Sequence, residues 1–567
     1  MHTCLNVDEV LRLIARELLA SGGRATAVAF ACCCKSFEDP VLEELWKTQG
    51  QLTPLLTSLP GDVWDEDEDE HTVSTPTTYT FSSLNYSIPR SFKRFPTTLE
   101  WARFQKYARR MRNLEEHDTL GASEVLSVLQ LRTANEPLLP NLKTLRLWYT
   151  TGGFIPFIPL LLSPRTTDIT ISFVGAGLSK AMVASMLTAL PTLCPNLERI
   201  VLRPLPGDPM IAAGVSGMLL TTNRNTLRRF GVDSPLTEEG REVIFKLPNL
   251  RKLSTVIERD TSSPSAVLPN LTHLTITYDH GYDWLRMFQG ATLGKLESVT
   301  FYFESEQIGD FLGAFESAAI AVSVQNTLSE FHLCTSCSWN PNYASLLPFT
   351  QLEELTIEFP CIGGCSSTLD DDIIITLARA MPKLKALQLG NDPCRRIPTG
   401  ATAKGLVVLA YHCPNLTDLR IHFQVASLST SPATAGTSSN TESTAPRRDC
   451  VLRYLEVGEI PVPEESVLMV ALTLARIFPR IELISYLDKN WEKVMNAISL
   501  SREIVDRSSK QPPPPRPLYL RVALMTPYQE PHSRAAVNRE AVRRDSALVL
   551  RRPFHIPSSK RTSTSFV

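Results

Sequence analysis

The chain has 567 residues, 43% of them apolar and 20% charged, a composition that can bury a sizeable core. Lys and Arg number 57 against 59 Asp and Glu, a formal charge of −2, which argues against nucleic-acid binding driven by overall basicity. No apolar run approaches the roughly 18 residues of a membrane helix, since the longest, 154–162, is broken by Pro156 and Pro159.

The first fifty residues read as three short helices. Asn6 and Glu9 have capping-box spacing, and Val10, Leu13, Ile14 and Leu18 then share one helical face. Charges at Asp8, Glu9, Arg12, Arg16 and Glu17 interrupt that stretch, so it is not a secretory signal. Ser21-Gly22-Gly23 breaks the helix, and Val28, Ala29 and Cys32 suggest a second. Asp39-Pro40 reads as a cap and first position of a third, whose apolar face is Val41, Leu42, Leu45 and Trp46. Three such helices make a marginal core that completes itself against a partner. Cys32-Cys33-Cys34 cannot converge on one ion, because neighbours on a helix point about 100° apart.

Residues 4–46 resemble an F-box. Leu5-Asn6 stands where that family has Leu-Pro, so the proline is missing. Glu9-Val10-Leu11, Ile14, Leu18, Cys34-Lys35-Ser36-Phe37 and Leu45-Trp46 stand at the later motif positions. The resemblance implies docking onto the Skp-type adaptor of a cullin–RING ubiquitin ligase through Leu5, Val10, Ile14, Leu18, Cys34, Phe37, Leu45 and Trp46. The other reading of the same residues is a plain helical cap on a solenoid.

Residues 51–110 read as a linker with an acidic loop and a capping helix. Asp65 to Glu70 are six consecutive acidic residues, followed by a Thr/Ser-rich stretch at 72–83, which together suggest a solvated loop or a strip for a basic partner. A helix is expected over 99–114, with Trp101, Phe104 and Tyr107 as its core stripe.

From 111 to 487 a repeat dominates. Leu139-Pro140-Asn141-Leu142-Lys143-Thr144-Leu145 recurs as Cys194-Pro195-Asn196-Leu197, Leu247-Pro248-Asn249-Leu250, Leu268-Pro269-Asn270-Leu271, Met381-Pro382-Lys383-Leu384 and Cys413-Pro414-Asn415-Leu416, with weaker copies between. Thirteen units start at Leu142 and later, spaced 21 to 36 residues apart, and an earlier one fits 111–114. Each Leu-x-x-Leu-x-Leu is a short strand, and helical patterns such as 372–381 and 463–478 precede many copies. One unit cannot bury its own apolar face, and stacked neighbours can. The longest spacing contains the Ser/Thr/Ala-rich segment 427–448, expected as a disordered insertion. The pattern resembles the irregular leucine-rich repeats of F-box proteins, in sets like those of filamentous fungi. It implies an α/β solenoid: a three-helix F-box-like motif over 1–50, then an irregular leucine-rich-repeat horseshoe of about 13 repeats.

Parallel strands line the concave face of such a solenoid. Positions alternating with the buried leucines are Arg146, Thr170, Val201, Gly231, Ser254, Thr275, Thr300, His332, Thr356, Gln388, Arg420, Glu456 and Ser485. Flanking outward positions add Trp148, Arg199, Arg203, Arg229, Lys252, His273, Tyr302, Glu330, Glu354, Glu358 and Asp418. Basic residues collect early and acidic ones late, which suggests a dipolar binding face with Trp148 or Tyr302 as an aromatic anchor. The alternative is a solvated sheet whose charges confer only solubility.

No phosphate loop, His-Glu-x-x-His or Gly-x-Ser-x-Gly elbow occurs, and no nucleophile–base pair can be assembled, so an enzyme is not expected. Cys334, Cys337, Cys361 and Cys365 could hold zinc, though thiols also fill small core gaps, and no metal or cofactor is expected. Twelve cysteines without a framework spacing point to reduced thiols in the cytosol or nucleus. Residues 488–510 read as a capping helix with Trp491, Val494, Ile498 and Val505 apolar. A polyproline linker at 511–517 and a disordered tail complete the chain. The ends differ in charge, with 14 acidic against 5 basic residues in 1–70 and 11 basic against 3 acidic in 510–567. The expected function is substrate recognition for a ubiquitin ligase, with an unknown target protein and without membrane or nucleic-acid partners. The alternative is a repeat scaffold unconnected to ubiquitination.

Overall fold

In a computed structural model, the structure describes residues 7–510 apart from 66–90, 118–121, 134–135, 175–177, 204, 206–207, 223, 258–267, 279–292, 294, 304–310, 318–323, 336–340, 359–368, 391–399, 430–449, 459 and 487. Most of the acidic run, Leu5, Asn6, most of the 427–448 insertion, three of the four candidate zinc cysteines and the tail beyond 510 therefore lie outside the described residues. The chain divides into two units, Met1–Asp506 and Arg507–Val567; of the second, only the end of the last helix is described.

The repeats stack as an α/β solenoid. Its strands are β1 (Thr48–Gln49), β2 (Asn113–Glu116), β3 (Thr144–Thr150), β4 (Asp168–Phe173), β5 (Arg199–Arg203), β6 (Arg229–Pro235), β7 (Lys252–Ile257) and β8 (His273–Tyr278). They continue as β9 (Ser298–Phe303), β10 (Glu330–Cys334), β11 (Glu354–Glu358), β12 (Ala386–Leu389), β13 (Asp418–Ile421), β14 (Tyr454–Gly458) and β15 (Leu483–Tyr486). Among the described residues these form one parallel sheet in chain order. Leu145, Ile169, Ile200, Phe230, Leu253, Leu274, Val299 and Phe331 align in register, each 2% exposed or less. Burying such a side chain stabilises by about 1.5–3 kcal/mol, so the ladder accounts for the spacing of the leucines.

The recurrent Pro-Asn step has a bond behind it. The Asn141 side-chain amide donates to the Arg109 carbonyl (2.7 Å), Asn249 to Asn225 (2.8 Å) and Asn270 to Pro248 (2.8 Å), each reaching the preceding repeat. All three bonds lie at the exposed edge of the stack, where they tie one repeat's turn to the next.

Helices are tied in the same way. Asp370 caps its own helix, Asp371–Ala380, by accepting from the Ile373 N–H (2.9 Å). Asp371 serves the next one, Ala403–His412: its carboxylate accepts from the Thr402 N–H (2.8 Å), the Thr402 hydroxyl (2.5 Å) and the Gly405 N–H (3.1 Å). A Cβ at Gly405 would lie 2.7 Å from that carboxylate, so a glycine is needed at this close approach. Asp371→Ala is expected to cost about 2–3 kcal/mol in urea unfolding, because it orphans two amides and a hydroxyl. Asp371→Asn, which keeps an acceptor, should cost less than half as much. Equal losses would show that the bonds to the neighbouring repeat are not what Asp371 contributes.

At the N-terminus α1 (Asp8–Ala20), α2 (Arg24–Cys33) and α3 (Lys35–Lys47) form a bundle with its own small core: Leu11, Ala15, Ala27, Ala31, Phe37 and Val41. Three expectations are corrected here. The residue capping α1 is Val7, with no side-chain cap bond. The inward face of α2 is Ala27 and Ala31, leaving Val28, Ala29 and Cys32 exposed, because small alanines let the three helices approach closely. Finally, α3 starts before Asp39, so Pro40 lies inside it rather than at its first position.

The bundle is joined to the solenoid through α3. Residues 51–110 supply α4 (Thr53–Leu56) and α5 (Thr98–Ala108), both buried against the repeats. The expected helix over 99–114 ends at Ala108, and Asn113–Glu116 is already a strand. Lys106 pairs with Glu38 (3.1 Å), Arg112 with Glu43 (3.0 Å) and Arg110 with Asp39. Trp46 stacks on Tyr107 with ring centroids 4.6 Å apart. The buried Glu116 carboxylate accepts from the Leu52 N–H at 2.7 Å.

Candidate functional site

The open face of the sheet carries three outward columns. The middle one is a single register ladder through Arg146, Thr170, Val201, Gly231, Ser254, Thr275, Thr300, His332, Thr356, Gln388, Arg420, Glu456 and Ser485. Period-two alternation in strands of equal register puts them there. Thr170 and Val201 are nearly buried even so. Arg199 and Arg203 stand two residues either side of Val201 on the same strand face, and long guanidinium stems cover small neighbours.

The first column runs Asp168, Arg199, Arg229, Lys252, His273, Ser298, Glu330, Glu354, Ala386, Asp418. Its basic members are adjacent on consecutive strands, where like charges oppose one another. Arg199 has one long ion pair, to Asp168 at 3.6 Å. Arg229 and Lys252 make no ion pair with the described residues. Burial pushes the Arg229 guanidinium down to about 10, and Arg199 and Arg203 add to it. Burial and Arg229 lower Lys252 likewise, and burial and Lys252 lower His273, keeping that imidazole neutral at pH 7. Asp168 is raised by burial despite three arginines around it. At the acidic end burial raises Glu354, with Glu330 and Asp418 adding repulsion.

Charges in the other two columns are mostly answered within the sheet. Arg203 pairs with Asp233 (3.0 Å) and donates to Ser254. His332 lies 3.9 Å from Glu358, holds it below the usual carboxylate range, and Gln388 donates to the same group (2.8 Å). Arg420 pairs with Glu456 (2.9 Å), which also accepts from the Tyr454 hydroxyl (2.9 Å). Arg146 is the exception in having no ion pair among the described residues, and its buried Nε, like those of Arg199 and Arg203, has no hydrogen-bond acceptor there.

Both expected aromatic anchors are already engaged. The Trp148 indole donates to Glu115 (3.1 Å) and stacks on His117, and the half-buried Tyr302 meets His332 edge-on at 5.7 Å. Sequence reasoning missed Asp168 and Asp233, which the same alternation places outward beside the arginines. It also missed Tyr149, exposed and with φ at +57° where β3 bulges, a conformation with no local sequence signal.

The expected adaptor contacts separate into two groups. Val10, Ile14 and Leu18 are half-buried on α1, with Leu13 beside them 55% exposed, while Leu11 and Ala15 face the bundle core. Cys34 is half-exposed. Phe37 and Leu45, by contrast, are buried, and Trp46 is committed to Tyr107, so these three hold the bundle together and to the solenoid. Phe37 is covered by α1 and α2 within the bundle, and Trp46 by α5 on the solenoid side.

No family model matches this chain, and no curated protein matches it. Solved structures similar to it include a Bacteroides fragilis protein from a structural genomics programme, 15% identical, covering 40% of this chain and 61% of that one at a TM-score of 0.25. The complex of Rad7 and Elc1 from yeast is 14% identical over 53% of this chain and 77% of that one, TM-score 0.31. The leucine-rich repeat-containing protein LegL7 from Legionella pneumophila is 12% identical over 65% and 93%, TM-score 0.27. This chain thus spans less than two thirds of the Bacteroides protein. Among the described residues no group of three or more metal-ligating side chains is assembled, and no helix is long and apolar enough to cross a membrane.

Proposed function

We propose that this protein is a non-enzymatic recognition subunit of a Skp- and cullin-type ubiquitin ligase, working in the cytosol or nucleus. The repeats hold a target protein, and the N-terminal bundle binds the adaptor. The carrying observation is the apolar stripe Val10, Leu13 and Ile14 on α1, left partly uncovered although Leu11, Ala15 and Leu18 beside it pack into the bundle core. An incompletely covered apolar face on a small bundle marks an interaction surface. The ion pairs and stacking around α3 support the reading mechanically, because a ligase receptor acts by raising the effective concentration of target lysines, and a bundle joined firmly to the repeats preserves that geometry.

The test is adaptor binding by the full chain. Wild type should bind purified Skp-type adaptor, and Val10→Glu plus Ile14→Glu should weaken binding at least about 100-fold, since two charges would be desolvated in the interface. The far-UV circular dichroism spectrum should not change, because both side chains are half-exposed already. A second reading, a repeat scaffold with a helical cap, draws on the burial of Phe37 and Leu45 and the stacking of Trp46 on Tyr107, which give these three side chains roles within the chain itself. Absence of adaptor binding by the folded wild type would decide for it.

A further inference from the structure

Besides the single Arg146 in the middle column, the open face of the sheet holds two adjacent like-charged pairs without an ion pair among the described residues, both in its first column. Arg229 and Lys252 sit on adjacent strands β6 and β7, and Glu330 and Glu354 on adjacent strands β10 and β11. None of the four forms an ion pair with the described residues, whereas Arg203, His332 and Arg420 in the other columns each have an acidic partner. The two sets lie four strand spacings apart, about 19 Å centre to centre at roughly 4.8 Å per strand. Their nearest members, Lys252 and Glu330, attract one another across the gap, but burial and Arg229 outweigh that attraction and leave Lys252 lowered, so the acidic set does not neutralise the basic one. Between them β8 and β9 present His273, lowered by burial, and the hydroxyl groups of Thr275, Thr277, Thr300 and Tyr302, with no formal charge.

We propose that this column recognises an extended bipolar segment of the partner protein, its acidic end over Arg229 and Lys252 and its basic end over Glu330 and Glu354. An extended chain rises about 3.3 Å per residue, so the two charged ends are separated by about six residues. The hydroxyl strip between them meets that chain's free main-chain donors and acceptors, which an extended segment presents and a helix does not. Such a segment neutralises both ends at once, which no mobile counter-ion does in one binding event. The inference rests on reading the open face as the target-binding surface, and stands apart from whether the bundle meets a ligase.

The probe is a synthetic peptide with three Glu, a six-residue Gly/Ser spacer and three Lys, compared with a peptide of the same composition in which Glu and Lys alternate. At low salt the full-length protein should bind the block peptide about tenfold more tightly than the alternating one. Arg229→Glu plus Lys252→Glu should remove that preference. Adding Glu330→Lys and Glu354→Lys to the same chain should restore it, because a flexible peptide can bind in the opposite direction, and restoration excludes misfolding of the double variant as the cause. Equal binding of the two peptides by wild type, or no recovery in the fourfold variant, overturns the inference. Adaptor binding measured on the same samples reports on the ligase reading separately, since none of the four residues belongs to the bundle.

Discussion

Trp491→Ala should lower the stability of the protein by about 3–5 kcal/mol, the range for removing a fully buried large aromatic. The indole is wholly buried, meets Phe423 edge-on at 6.4 Å, and donates its N–H to the Ile460 carbonyl at 2.8 Å. It opens the last helix, Asn490–Lys510, which covers the end of the repeat stack. Asp488 holds the same junction, accepting from the N–H groups of Asn490 (2.9 Å) and Val462 (3.2 Å). Stacked repeats need a cap at each end because the last apolar face has no following neighbour. Loss of the tryptophan should therefore also make the segment after Cys450 an early site of proteolysis. Trp491→Phe keeps an aromatic ring of smaller volume and orphans the Ile460 carbonyl, so it should cost about 1–3 kcal/mol. Urea unfolding followed by circular dichroism measures both. A loss under about 1 kcal/mol for the alanine variant would show that the last helix does not complete the core.

A loss of similar size, about 3–5 kcal/mol, is expected for Phe315→Ala. Phe315 is fully buried on the helix Phe311–Ser317. Its ring centroid lies 5.7 Å from Phe301 on β9, 5.5 Å from Phe331 on β10 and 5.4 Å from Phe349 before β11. One side chain thus joins three successive repeats. In a solenoid, stability is close to a sum of repeat and nearest-neighbour terms. Weakening a shared contact should broaden the urea transition as well as shift it, because the two halves of the stack become less coupled. Phe315→Leu retains much of the apolar volume and should cost under about 2 kcal/mol with little broadening. An unchanged slope in Phe315→Ala would mean that the repeats on either side are coupled by other contacts.

Most of the repeat architecture was legible because a strand in this fold carries its own label. The leucines recur with period two inside each strand, and the outward residue between them is then determined without knowing any partner strand. Arg146, His332 and Arg420 could be placed in one column from sequence for that reason. The helices were harder. In α2 the larger Val28 looked like the core residue, yet Ala27 and Ala31 are inside. Close packing of three short helices favours small side chains at their contacts, a property of the neighbours rather than of α2. The stretch 111–116 reads equally well as the end of a helix or the start of a strand, and what decides it is the register with Thr48 and Thr144, residues 65 and 31 positions away in sequence from Asn113.

The site divides along the same line. Which residues stand on the open face, and the drift from basic to acidic along it, come from alternation and are properties of the sequence by itself. Which of those charges are already satisfied is not. Arg203 and Asp233 meet across two strands, as do Arg420 and Glu456, while Arg229 and Lys252 form no ion pair among the described residues and feel Asp168 and Glu330 only at longer range. Pairing depends on the side chain opposite, on its reach and on its burial, and these arise only when strands 20 to 40 residues apart are brought to within about 5 Å. The same holds at the N-terminus. The three helices and their apolar residues are written locally, but only their packing commits Phe37 to the bundle core and Trp46 to Tyr107, and leaves Val10, Leu13 and Ile14 partly uncovered. Local pattern decides what a residue can face, and the tertiary structure decides whether anything in the same chain is there to meet it.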